Sequence, residues 1–177
     1  MPGGDGSWDH VVPDPPHHRV FIARQNRVMV ADQDSGKLLG EVTGIQGAHG
    51  TAVTESSGHG FATSGNDQSV VMFDLKTFQS LGRIPAAENA DAILYDAPSN
   101  RVFTLNGDAH SSTVIDPKAG KAITNIPLGG KPEFRRNHRI FMAAAKFGEV
   151  PAVGRGRRPA LPGTFSVLVI ERADGGR

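Results

Sequence analysis

The chain has 177 residues, 38% hydrophobic and 21% charged, with a net charge of +1. Such a length builds one ordinary domain core, and 22 Gly with 12 Pro favour a turn-rich all-β chain over a helical one. The absence of cysteine excludes disulfides, thiolate metal sites and thiol nucleophiles, while the small net charge hides an asymmetry: −5 over residues 1–134 and +6 over residues 135–177.

The opening stretch, MPGGDGSWDHVVPDPP, has no basic segment followed by an apolar one, so a soluble, unexported product is expected. No run of eighteen apolar residues occurs anywhere, and no membrane partner is expected. Trp8 is expected to pack at the edge of the first sheet, with a base-stacking or ligand role as the lesser alternative. His17 and His18 follow a Pro-rich turn, where adjacent imidazoles cannot easily grip one ion from the same direction; a solvated turn is expected.

From here the chain repeats. Asp32, Asp74 and Asp116 each close a Val/Ile/Phe-rich segment and are spaced by 42 residues, as are Leu39, Leu81 and Ile123, and Val42, Ile84 and Ile126. Phe21, Phe61 and Phe103 recur at 40 and then 42, because the connection after Gln25 is two residues shorter than its counterparts. A fixed period of this size marks a stacked array. The third unit reads as strands at 92–95, 101–105, 112–116 and 121–126, separated by turn residues. Four short antiparallel strands per unit make a propeller blade, with small residues such as Ala52 and Ala92 near the axis.

A fourth unit begins in register at Lys131-Pro132-Glu133-Phe134 and then loses the period: Arg139-Ile140-Phe141 comes 38 residues after Arg101-Val102-Phe103. A Gly-, Pro- and Arg-rich stretch, 146–163, precedes the apolar run 165–170, which suits a third or closing strand. Residues 1–134 are therefore read as three regular blades and the start of a fourth, and 135–177 as an irregular last blade, all in one propeller-like domain of about four blade equivalents. The basic tract Arg135, Arg136, Arg139, Lys146, Arg155, Arg157 and Arg158 reads as a solvated connection, and nucleic acid is not expected as a partner.

The phrases GGDGSWDHVV, DSGKLLGEV, AHGTAVTESSGHGFATSGNDQSVVMFDLKT, NADAILYDAPSNRVFTLNG and IPLGGKPEF resemble the YncE-like, YVTN-repeat β-propellers of bacteria across residues 3–134. NHRIFMAAAKFG and RRPALPGTFSVLVIER resemble the last blade and C-terminal strand of that family. The resemblance implies a seven-bladed ring whose middle blades are missing here, joined near Phe134 and Arg135, and a periplasmic or secreted setting. Four blade equivalents must close into a small ring, stay an open arc, or pair with a second chain, and open blade edges favour a homo-oligomer.

In such an array the starts of the inner strands and the loops between second and third strands share one end, the top face. Asp9, His49, Asp91 and Glu133 stand at equivalent inner-strand starts, and Asn66 and Asn106 lie in the matching loops. A ring of polar and acidic groups there suits a cation, a sugar or another polar ligand, with the alternative that these groups only bond loop backbones and line a watery channel. Asp32, Asp74 and Asp116 are expected to cap turns. The run from Asp32 is not a calcium loop, since its glycine falls a place early and Thr43 stands where the loop needs glutamate.

No catalytic motif, phosphate-binding loop or cofactor fingerprint is present, so no catalytic residue, metal or cofactor is assigned. The reading is a non-enzymatic scaffold that binds a small polar ligand or a protein partner at its top face. The alternatives are a metal-assisted hydrolase or lactonase-type propeller using Asp9, His49, Asp91 and Glu133, and a truncated remnant without activity of its own.

Overall fold

A computed structural model describes residues 7–132, which form three four-stranded antiparallel sheets with strands in chain order. Blade one comprises β1 (Trp8–Asp14), β2 (Arg19–Arg24), β3 (Arg27–Asp32) and β4 (Leu38–Val42). Blade two comprises β5 (Thr51–Thr54), β6 (His59–Ser64), β7 (Ser69–Asp74) and β8 (Ser80–Pro85). Blade three comprises β9 (Ala90–Asp96), β10 (Arg101–Asn106), β11 (Ser111–Asp116) and β12 (Lys121–Pro127). The first strands β1, β5 and β9 lie against one another, so they are the inner strands. Glu133 and the expected fourth blade, including the basic tract and residues 165–170, lie outside the described residues.

The fold is all-β, as composition and period require. The two-residue deficit in blade one falls between β2 and β3, where residues 25–26 do what 65–68 and 107–110 do in the other blades. Each turn between third and fourth strands is closed by the aspartate of the repeat. Asp32 Oδ1 accepts from Ser35 N at 2.8 Å, Asp74 Oδ1 from Thr77 N at 2.7 Å, and Asp116 Oδ1 from Ala119 N at 2.9 Å. The turn ends on a left-handed residue, Gly36 or Gly120 in two blades but Phe78, at φ 60°, in blade two. A phenylalanine there carries backbone strain, offset by its ring, which meets Phe21 edge-on at 6.4 Å and fills the space over Gly40.

Successive blades stack through their apolar faces. Phe21, Val28 and Val30 of blade one share a buried cluster with Ala62, Val71 and Phe73 of blade two, and Phe61, Val70 and Ile84 of blade two share another with Ile93, Val102 and Ile115 of blade three. Burial of this kind contributes about 25 cal/mol per Å².

A polar clasp repeats across the same interfaces. Arg19, at the start of β2, bonds buried Asp14 at 2.7 Å, donates to Leu75 O of blade two at 2.6 Å, and stacks over Phe21 and Phe78. His59, at the equivalent start of β6, meets Pro117 O of blade three at 2.9 Å. Both carbonyls follow the turn aspartate of the next blade.

Removing the arginine leaves the buried Asp14 carboxylate with only its longer contact to His17, a loss that costs about 3 kcal/mol. Arg19→Ala is therefore expected to lower unfolding free energy by about 3 kcal/mol in urea denaturation, whereas the exposed control Lys37→Ala changes it little.

The turn aspartates tie stability to pH. Each carboxyl is held below its ordinary 3.8, Asp32 chiefly by the Ser35 hydroxyl, Asp74 by the Thr77 N–H and Asp116 by the Ala119 N–H. Because the folded value lies below the unfolded one, these bonds stabilise the fold fully above 3.8, and the contribution is lost as pH falls from 3.8 through the lower folded value. Asp74→Ala should melt below the native protein at neutral pH, and thermal scans from about pH 5 to about pH 2 should show that gap closing.

Candidate functional site

At the end of the blades where the inner strands begin, β1 departs from regular pairing between Trp8 and Val11, and Asp9 and His10 occupy the irregular stretch. His49 precedes β5, and Asp91 lies at the start of β9. Asp9 Oδ2 stands 2.8 Å and Asp91 Oδ1 3.5 Å from His49 Nδ1. His10 adds a second imidazole, its Nδ1 3.0 Å from Asp9 Oδ1, and its backbone N–H donates to His49 O at 3.1 Å. Three blades thus place one imidazole between two carboxylates. All three side chains are partly exposed, Asp91 the most at 47%.

The backbone under this cluster is fixed from within blade two. Buried Thr63 Oγ1 accepts from the N–H groups of both His49, at 3.2 Å, and Gly50, at 2.9 Å. The imidazole is held in place by the β-scaffold rather than carried on a free loop.

Directly beneath is a cavity of about 70 Å³, lined by His10, Val11 and Val12 of β1, Gly50 and Thr51 at β5, and Ala92 and Ile93 of β9. Each charged residue of the cluster is followed in sequence by one of these: Asp9 by His10, His49 by Gly50, Asp91 by Ala92. Thr51 is buried, and its hydroxyl has no hydrogen-bond partner among the described residues.

Asn106 parts company with the cluster, whereas Asn66 follows Gly65, which borders the His49 ring. The Asn66 side chain is exposed and sits against Gly47, whose left-handed backbone leaves no room for a Cβ beneath the amide. Asn106 is fully buried inside blade three, which corrects its expected place at the channel mouth. Its amide donates to Ser111 Oγ at 3.1 Å and Thr113 Oγ1 at 3.0 Å, and its oxygen accepts from Thr104 Oγ1 at 2.8 Å. A buried amide must satisfy its donors and acceptor, and here the strands do so, leaving nothing for a ligand. Glu133 lies outside the described residues.

His17 and His18 diverge as expected: His17 Nδ1 lies 3.2 Å from Asp14 and His18 Nδ1 3.2 Å from Asp34. His17 also reaches Glu55 of blade two at 3.4 Å, completing a cluster of metal-ligand types at the opposite end of the blades. Asp14 there is already committed to Arg19, so the cluster acts as a further contact between blades. Trp8 is half exposed beneath the Arg24 guanidinium, 4.4 Å from its ring centre. No helix among the described residues is long and apolar enough to cross a membrane.

Solved structures with the same stacking of four-stranded sheets include Kuenenia stuttgartiensis hydrazine synthase, with a TM-score of 0.64 and 19% identity over 70% of this chain. The WD40 β-propeller domain of Doa1 gives a TM-score of 0.57 and 16% identity over 69%. The fold is a β-propeller. The chain spans 36% and 41% of those two structures, and at these identities the likeness concerns architecture alone. No protein-family model and no curated protein matches it.

Asn106→Ala is expected to cost about 1–3 kcal/mol, because it leaves the buried Thr104, Ser111 and Thr113 hydroxyls short of a partner. Chemical denaturation measures that loss. The amide chemical shifts around His49 should stay unchanged.

Proposed function

We propose that this propeller is a non-enzymatic binding scaffold, related to the YVTN-repeat propellers, that takes a small polar ligand on its top face at Asp9, His49 and Asp91. The observation that carries the reading is the convergence of these three side chains, one from each described blade, on a single point beside the inner strands. Nothing in blade stacking requires it. Loops and strand ends on a rigid scaffold are where binding groups concentrate, and carboxylates flanking an imidazole present acceptors to any ligand rich in N–H or O–H donors.

The residues that follow the cluster in each inner strand line a small, mostly apolar cavity, and convergent polar groups beside an apolar lining are the combination expected of a small-molecule site. The resemblance to YVTN repeats supports a scaffold role and a bacterial setting, and its unpaired blade edges support a homo-oligomer.

The test is a titration with a panel of monosaccharides and short amines, followed by amide chemical shifts. At least one member should perturb residues around His49 and Asp91. The double variant His49→Ala/Asp91→Ala should keep its melting temperature within a few degrees and lose that response. An unchanged response in the double variant contradicts the assignment.

A further inference from the structure

We propose that Asn106–Gly107 is a self-modification site gated by the fold: when blade three opens, the asparagine cyclises onto the glycine nitrogen and loses ammonia, and the product no longer fits the blade.

The chain contains a single Asn-Gly pair, at 106 and 107. With no Cβ on the second residue, its backbone nitrogen can approach the asparagine Cγ closely. The Gly107 nitrogen attacks that carbon, a new C–N bond forms, the Cγ–Nδ2 bond breaks and ammonia leaves. Water then opens the five-membered imide at either carbonyl, giving aspartate or isoaspartate, and is the only co-reactant.

The folded blade holds every participant out of reach. The leaving amide, Nδ2, donates to Ser111 Oγ at 3.1 Å, Thr113 Oγ1 at 3.0 Å and Asn125 Oδ1 at 3.4 Å, while Oδ1 accepts from the Thr104 hydroxyl at 2.8 Å. The attacking nitrogen is held as well: Gly107 N–H donates to Asn89 O at 2.8 Å, the same bond that Gly65 N–H makes to Gly47 O in blade two. Both residues of the pair are buried, which keeps water away. The last residue of the second strand is Arg24 in blade one and Ser64 in blade two, and neither can close such a ring, so among the described blades the site belongs to blade three.

Reaction therefore requires an opened blade. Cyclisation is slow beside opening and closing, so its rate follows the open population. The step is also one-way. Aspartate at 106 buries a carboxylate where a neutral amide donated, which is costly, and isoaspartate adds a methylene to the main chain where Asn106 pairs with Ala90 and Ser111.

The full chain is incubated at neutral pH in buffer and in unfolding urea, and deamidation at each asparagine is followed by peptide mapping. In urea Asn106 should react faster than Asn26, Asn66 and Asn100, which precede Arg, Asp and Arg, and Gly107→Ala should remove that lead. In buffer Asn106 should react at least about a hundredfold more slowly than in urea. Ile115→Val trims a buried residue of blade three and should speed the reaction in buffer about fivefold, the equivalent of about 1 kcal/mol. If that variant fails to fold, urea below the unfolding transition should speed the native chain instead. After long incubation in urea the native chain should lose refolding yield in step with deamidation at 106, whereas Asn106→Ser should refold as fully as when fresh. Equal rates in buffer and urea, an unfolded Asn106 no faster than the other asparagines, a rate in buffer indifferent to both Ile115→Val and low urea, or full refolding of chains deamidated at 106 overturns the proposal.

Discussion

A four-stranded sheet has two faces and no second layer of its own, so each blade here is stable only against its neighbours. Everything else follows from how that face-to-face contact is made. Phe21 and Phe73, both fully buried, meet with ring centres 5.9 Å apart and join the apolar faces of blades one and two. The polar clasp from the start of each second strand runs over the same seam, from Arg19 to Leu75 O and from His59 to Pro117 O. Arg101 holds the corresponding position in blade three, where it donates to Asn100 O at 2.8 Å and lies 3.6 Å from Asp116.

Much of this architecture is readable in the chain because the repeat is a physical necessity. Stacked blades that must fit the same neighbour keep the same buried residues at the same spacing, so Val42 and Ile84 recur and are both buried. The turn aspartates recur for a different reason, since each caps the same local turn within three residues of itself. What the repeat hides are partnerships between residues far apart in sequence. Arg19 and His59 share a function but not a chemistry, and spacing alone does not reveal that an arginine and a histidine reach equivalent carbonyls. Asn106 was misplaced for the same reason: its position in the loop pattern says nothing about whether the amide turns outward or into blade three.

The top face shows where the repeat relaxes. Equivalent inner-strand starts carry aspartate, histidine and aspartate, and their proximity follows from register; their geometry does not. The irregular pairing of β1 and the grip of Thr63 on the His49 and Gly50 backbone set that geometry. The cavity and the unpaired Thr51 hydroxyl were beyond reach of the sequence, because both depend on how closely three inner strands approach. The scaffold, in short, holds the rim still and leaves a gap beneath it, and a bound ligand gains from a rim already in place.

Mutual support between blades is tested most directly by native-state hydrogen exchange on a Phe73→Leu variant. If blades hold each other up, trimming a ring of blade two must lower amide protection in β2 and β3 of blade one together with β6 and β7. Protection lost in blade two alone, with blade one exchanging as in the native protein, would contradict the account.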